Sequence, residues 1–183
     1  MDLESNMQSD RSKYFGALMM FGFGVFAFYR WYQTQLLFFL LLVLRDFVAG
    51  YFFLKRTPAE MKSTTTASIF SYVSAAMPLF YFSSTEESRV LLLISNLLAI
   101  IGFLFVALAT IELGTSIGIS PAKREFVTSG IYKWVKHPMY SGYVVSELGM
   151  TLVNPLNVVL FLVSTALYYY RSKQERLILS NYK

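Results

Sequence analysis

The chain of 183 residues has no cysteine and a single histidine, His137. The first absence excludes disulfides, a thiol nucleophile and zinc sites built on cysteine ligands. The second excludes metal clusters that need several imidazoles. Charge is scarce too. Only 15% of residues are charged, against about a quarter in a soluble domain. By contrast 55% are hydrophobic and 17% aromatic, and the mean hydropathy is +0.48. Chemistry in such a chain rests on carboxylates, arginines, tyrosines, backbone groups or an organic cofactor.

What is present is long apolar runs. Tyr14–Tyr29, Ser63–Thr85 and Val90–Ile111 contain no charged residue. Gln33–Leu54 is interrupted only by Arg45 and Asp46, and Pro138–Tyr170 only by Glu147. About 20 apolar residues at ~1.5 Å each cross ~30 Å of hydrocarbon. Lipid leaves backbone groups no partner outside the chain, which restricts spanning segments to helices or closed barrels. The strict alternation of barrel strands is missing. These features predict an all-α polytopic transmembrane helical bundle: about four spans over residues 1–112, then a C-terminal helical hairpin, in a single membrane domain. The segment before the first span, Met1–Lys13, mixes both charge signs, and no small-residue cleavage pattern follows the span, which therefore reads as retained.

The formal charge of +5 records topology here and does not point to nucleic acid. With both termini cytoplasmic and the last apolar region folded as a hairpin, thirteen lysines and arginines fall on the cytoplasmic side. Only Arg30 and Arg89 fall outside, which satisfies the positive-inside rule. The hairpin follows from length: Pro138–Tyr170 would run about 50 Å as one helix. Asn154-Pro155-Leu156-Asn157 sits near its middle, and proline disfavours helix at the residue before it.

One long polar insertion, Leu113–His137, precedes the hairpin. Long ordered loops on helical scaffolds more often carry function than mere connection. Pro138 suits a first helical position, and the N–H groups of Met139, Tyr140 and Ser141 are expected to face an anion there. Taken alone, His137 reads as a structural cap and Tyr168–Tyr170 as an interfacial aromatic belt. Arg171, Gln174 and Glu175, spaced three and four residues apart, share a helix face. A hairpin carries them to the membrane face that also holds His137 and Tyr140.

The segment Thr128-Ser-Gly-Ile-Tyr-Lys-Trp-Val-Lys-His-Pro-Met-Tyr-Ser-Gly142, followed by the hairpin and Arg171-Ser-Lys-Gln-Glu-Arg-Leu177, resembles the isoprenylcysteine carboxyl methyltransferase family and the related phospholipid N-methyltransferases. The resemblance covers about residues 108–182, and the lead-in Leu113–Arg124 is part of it. It implies a site for S-adenosylmethionine at the cytoplasmic face and a lipophilic acceptor arriving from the bilayer. By position it implies cofactor contacts at Tyr132, Lys136, His137, Pro138, Met139, Tyr140, Gly142 and Gln174. Arg171 and Glu175 become the polar pair that orients cofactor or acceptor. Lys136 stands where the family pattern has arginine, and Gln174 where it has the first of two glutamates. No metal is implied.

Two other readings compete. A sterol-reductase-like enzyme would bind NADPH on a similar membrane core, but such reductases tend to have asparagine where this chain has Met139. A non-catalytic membrane scaffold would share the fold alone. Arg45 and Asp46, costly inside a span, are expected to find separate partners, with Glu147, Asn96 and Glu112 as candidates. Gly16, Gly22 and Gly24, with Ala17, read as close helix packing or a dimer contact.

Overall fold

The computed structural model describes residues 12–56, 59, 61–62, 64–83, 88–123 and 127–180. The N-terminal basic segment with Arg11, and also Arg124 and Lys183, lie outside the described residues. The described chain is all-α apart from one short strand pair, with helices α1 (Ser12–Thr34), α2 (Leu37–Lys55), α3 (Thr65–Ala76), α4 (Arg89–Leu113), α5 (Pro138–Val153) and α6 (Asn157–Ser180). Among the described residues, two helices are long and apolar enough to cross a membrane: α2, and α4 with its 3-10 extension to Ser116.

The distribution of side chains on α4 shows what surrounds it. Val90, Leu93, Leu97, Ile101, Leu104, Leu108 and Ile111 recur every three or four residues and are exposed. Ser95, Ala99, Gly102, Val106, Ala109 and Thr110 are buried. Large aliphatic groups outside and, apart from Phe103 and Val106, small ones inside suit hydrocarbon surroundings, where close backbone packing replaces the hydrophobic drive between helices. α5 exploits that small face. A Cβ placed on Gly142 would lie 2.6 Å from the Gly102 carbonyl oxygen, and one on Gly102 would lie 2.4 Å from that of Gly142. No side chain fits between the two backbones.

α1 and α2 form an antiparallel pair across a turn at Gln35, whose φ is 55°. Two of the three α1 glycines serve this pair, Gly16 against the Phe53 ring and Gly24 against Phe47, whereas Gly22 faces open space. The third apolar run is only partly α-helical. α3 ends at Ala76, a 3-10 turn covers Met77–Phe80, and Tyr81–Ser83 leave helical geometry. Pro78 accounts for the change, since it lacks the N–H that an α-helix needs there. A two-residue antiparallel ladder, β1 (Met61–Lys62) on β2 (Ala122–Lys123), ties the loop after α2 to the long polar insertion.

The hairpin forms where the Asn-Pro signal lies. Asn154 Oδ1 accepts the Leu156 N–H at 3.0 Å, an Asx turn that closes the loop. The tip is then pinned to the Tyr81–Ser83 segment. Asn154 Nδ2 donates to the Ser83 carbonyl (3.0 Å), the Phe82 N–H donates to Asn157 Oδ1 (2.7 Å), and Asn157 Nδ2 donates to the Met150 and Phe82 carbonyls.

The intramembrane charges correct the expectation of separate partners. Arg45 pairs with its own neighbour: Nε donates to Asp46 Oδ1 at 2.7 Å, and the guanidinium lies 5.3 Å from the Tyr143 ring centroid. The Cβ atoms of adjacent helical residues diverge, but the long arginine stem folds back far enough to overcome this. Glu147 is occupied by two tyrosines, and Glu112 by the Ile131 backbone.

Candidate active site

The insertion before α5 is shaped by Glu112 at the end of α4. Both oxygens of its carboxylate accept the Ile131 N–H at 3.1 Å. Gly130, with φ of 50°, makes the approach possible, because a Cβ there would sit 1.7 Å from the carboxylate. The 3-10 turn Gly130–Lys133 that follows carries Tyr132. Burial, and next the charge of nearby Glu175, hold the Tyr132 phenol above its usual range, so it stays protonated.

Pro138 opens α5 and is buried, and His137 precedes it without a side-chain cap bond. The Ser141 N–H, expected to be free, donates to the His137 carbonyl at 3.1 Å. It closes the first turn, so only the N–H groups up to Tyr140 are left without a partner in the helix. One turn on, α5 presents Tyr140, Tyr143 and Glu147. The antiparallel α6 presents Tyr168, Arg171 and Glu175 with the same spacing of three and then four residues. The two arms bond reciprocally: Tyr140 donates to Glu175 Oε1, and Tyr168 donates to Glu147 Oε1 at 2.5 Å. The Tyr81 hydroxyl donates to Glu147 Oε2 at 2.8 Å.

Between these bonds the aromatic rings form a column. His137 stacks on Tyr140 (5.8 Å between centroids), Tyr140 on Tyr168 (5.8 Å) and Tyr168 on Tyr143 (5.4 Å). His137 Nδ1 lies 3.5 Å from Glu175 Oε2, and both side chains are 28% exposed. Arg171 is 5% exposed and lies over the Tyr140 face at 5.0 Å. Its Nη1 donates to Ser74 Oγ (2.9 Å) and its Nη2 to the Ile119 carbonyl (2.7 Å), while Nε has no partner. Next to Arg171 is a cavity of about 40 Å³ whose lining includes Arg45, Thr110, Met139, Tyr143 and Tyr168.

The structure thus gathers His137, Tyr140, Arg171 and Glu175, with Tyr132 electrostatically coupled to Glu175. Met139 lines the cavity, Lys136 is exposed, and Gln174 is half-buried on α6. Gly142 lies apart from that cluster, in the close contact with α4. Sequence reasoning did not find Ser74, the Ile119 carbonyl, Tyr143, or Tyr168 as a buried donor. The repeated seven-residue interval from tyrosine to glutamate on both arms was the available signal for Tyr168.

A model described as the isoprenylcysteine carboxyl methyltransferase (ICMT) family matches residues 90–181. No curated protein and no solved structure matches the chain.

Proposed function

The chain belongs to the isoprenylcysteine carboxyl methyltransferase family and is a methyltransferase, and we propose that it holds S-adenosylmethionine at the mouth of the α5–α6 hairpin and methylates a lipophilic acceptor there. The acceptor is a prenylcysteine-type carboxylate or a lipid amine. The observation that carries this reading is the convergence of His137 and Tyr140 on Glu175, with Arg171 over the Tyr140 ring, within the family-matched segment.

The residues at the mouth fit the cofactor's chemistry. It offers a sulfonium cation, ribose hydroxyls and a carboxylate. The mouth offers the partly exposed Glu175 carboxylate for the first two, and the unpartnered Arg171 Nε for the third. When bound, S-adenosylmethionine supplies a methyl group activated for in-line displacement. What the chain contributes is alignment and exclusion of water. Glu175, fixed by Tyr140 and facing His137, orients the ligand. The aromatic column shields the interior side. A carboxylate acceptor needs no base, whereas an amine acceptor loses a proton that Glu175 or His137 would accept.

The membrane topology is part of the same proposal: one membrane domain, with about four spans over residues 1–112, the hairpin after them, and both termini and the mouth cytoplasmic. The excess of cytoplasmic lysine and arginine supports it. Calorimetric titration of the detergent-purified protein with S-adenosylhomocysteine tests the cofactor assignment. Saturable binding weakened by both His137→Ala and Glu175→Ala is expected, with none for NADPH. Binding of NADPH alone would replace the reading with the reductase one.

A further inference from the structure

Two buried arginines from distant parts of the chain line the cavity beside the hairpin: Arg45 from α2, outside the family-matched segment, and Arg171 from α6. Arg171 Nε has no hydrogen-bond acceptor, and Arg45 Nη2 has none beyond Asp46 Oδ1, its ion-pair partner at 2.5 Å. The same oxygen also receives the Arg45 Nε–H, and Asp46 Oδ2 is itself buried without a partner. Burying a charged donor unsatisfied is costly. Among the described residues no aspartate or glutamate lines the cavity, and Met20, Ala49, Phe53 and Ala75 make up an apolar part of its wall. Its volume of about 40 Å³ is several times the ~10–15 Å³ that one water requires. That is room for a carboxylate.

We propose that Arg45 and Arg171 together form a carboxylate-binding subsite in this cavity, with Arg45 as a specificity-determining residue supplied by α2. The location rests on the methyltransferase reading, which offers two sources for the group: the acceptor's carboxylate and the methionyl carboxylate of the cofactor. Arg45 is held by Asp46 on one edge of its guanidinium, which leaves the other edge for the ligand. A flat, forked donor suits a carboxylate better than a point charge does.

Calorimetry in a non-ionic detergent distinguishes the sources, with decanoate, decanol and decylamine as probes of a lipophilic acceptor and S-adenosylhomocysteine as the cofactor probe. The double variant Arg45→Met/Asp46→Asn removes the cation without stranding its partner, and Arg45→Lys keeps the charge but not the fork. The wild type is expected to hold at least one carboxylate probe, decanoate in preference to decanol and decylamine if the acceptor is the source. The double variant should weaken one carboxylate probe about ten- to a hundredfold, and Arg45→Lys should weaken it less. Loss confined to decanoate assigns the subsite to the acceptor; loss confined to S-adenosylhomocysteine assigns it to the cofactor. If the double variant does not fold, Arg45→Lys carries the test by itself. Unchanged affinity for both probes in a folded variant overturns the proposal. A wild type that binds decanoate in an Arg45-dependent way but not S-adenosylhomocysteine would sink the methyltransferase site and leave the subsite standing.

Discussion

The two tyrosine–glutamate pairs that link α5 and α6 are the same chemistry in different settings. Glu147 is 1% exposed, and each of its oxygens accepts a tyrosine hydroxyl, from Tyr81 and from Tyr168. Glu175 is 28% exposed, takes one hydroxyl from Tyr140, and turns its other oxygen toward His137. The inner pair is complete within the protein and therefore reads as structural. The outer pair keeps exposure and acceptor capacity beside an arginine with an unpartnered donor, which is the condition of a group that waits for a ligand. The two ends of the hairpin differ in the same way. At the tip, Asn154 and Asn157 spend their amides on backbone groups of Tyr81–Ser83 and their own hairpin. At the mouth, Arg171 Nε is left without an acceptor.

The sharpest break in this comparison is Glu147→Ala, which strands two buried hydroxyls. Each unmade bond costs about 1–3 kcal/mol, so thermal unfolding in detergent should show a loss of about 2–6 kcal/mol. Glu147→Gln, which retains an acceptor, should lose clearly less. Equal losses would mean that the bonds from Tyr81 and Tyr168 contribute little. Glu175→Ala should do the reverse, weakening S-adenosylhomocysteine binding about ten- to a hundredfold. At this half-open position the melting temperature should hardly move. A large stability loss without a change in affinity would make the outer pair structural as well.

At the tip, Asn157→Ala removes bonds to Met150 and to both backbone groups of Phe82. It should cost about 1–2 kcal/mol of stability and leave S-adenosylhomocysteine affinity as in the wild type. A shift in that affinity would show that the two ends are coupled. The smallest effect concerns Tyr132. Its phenol is held above the ordinary tyrosine range, so it stays neutral as pH passes about 10, where a free phenol ionises. Tyr132→Phe should therefore leave the pH profile of ligand binding unchanged across pH 9–11. A titration step there that the variant removes would contradict the burial.

How far the sequence could be read follows from which interactions are local. The turn at Asn154–Leu156 and the start of α5 at Pro138 depend on neighbours in the chain, and both were legible. So was the shared face of Arg171 and Glu175, because helical spacing is a local rule. The partners of Arg171 were not: Ser74 is 97 residues away, and Ile119 lies 52 residues away in a loop. Arg45 and Asp46 show the opposite failure. The local rule that adjacent helical residues diverge was applied to Cβ directions, but the length of the arginine side chain defeats it. The third apolar run reads as an uninterrupted stretch, yet Pro78 turns its later part into a 3-10 segment, and the carbonyls and amide of Phe82 and Ser83 just beyond it are used by the hairpin tip. That use is invisible until α6 is in place.

The measurement that bears most directly on the account is photocrosslinking of radiolabelled S-adenosylmethionine to the purified protein, followed by mapping of the labelled peptides. Label on peptides spanning residues 130–144 and 168–177, competed away by unlabelled S-adenosylhomocysteine, is the predicted result. Competed label restricted to α1 or α3, with none at the hairpin mouth, would contradict it.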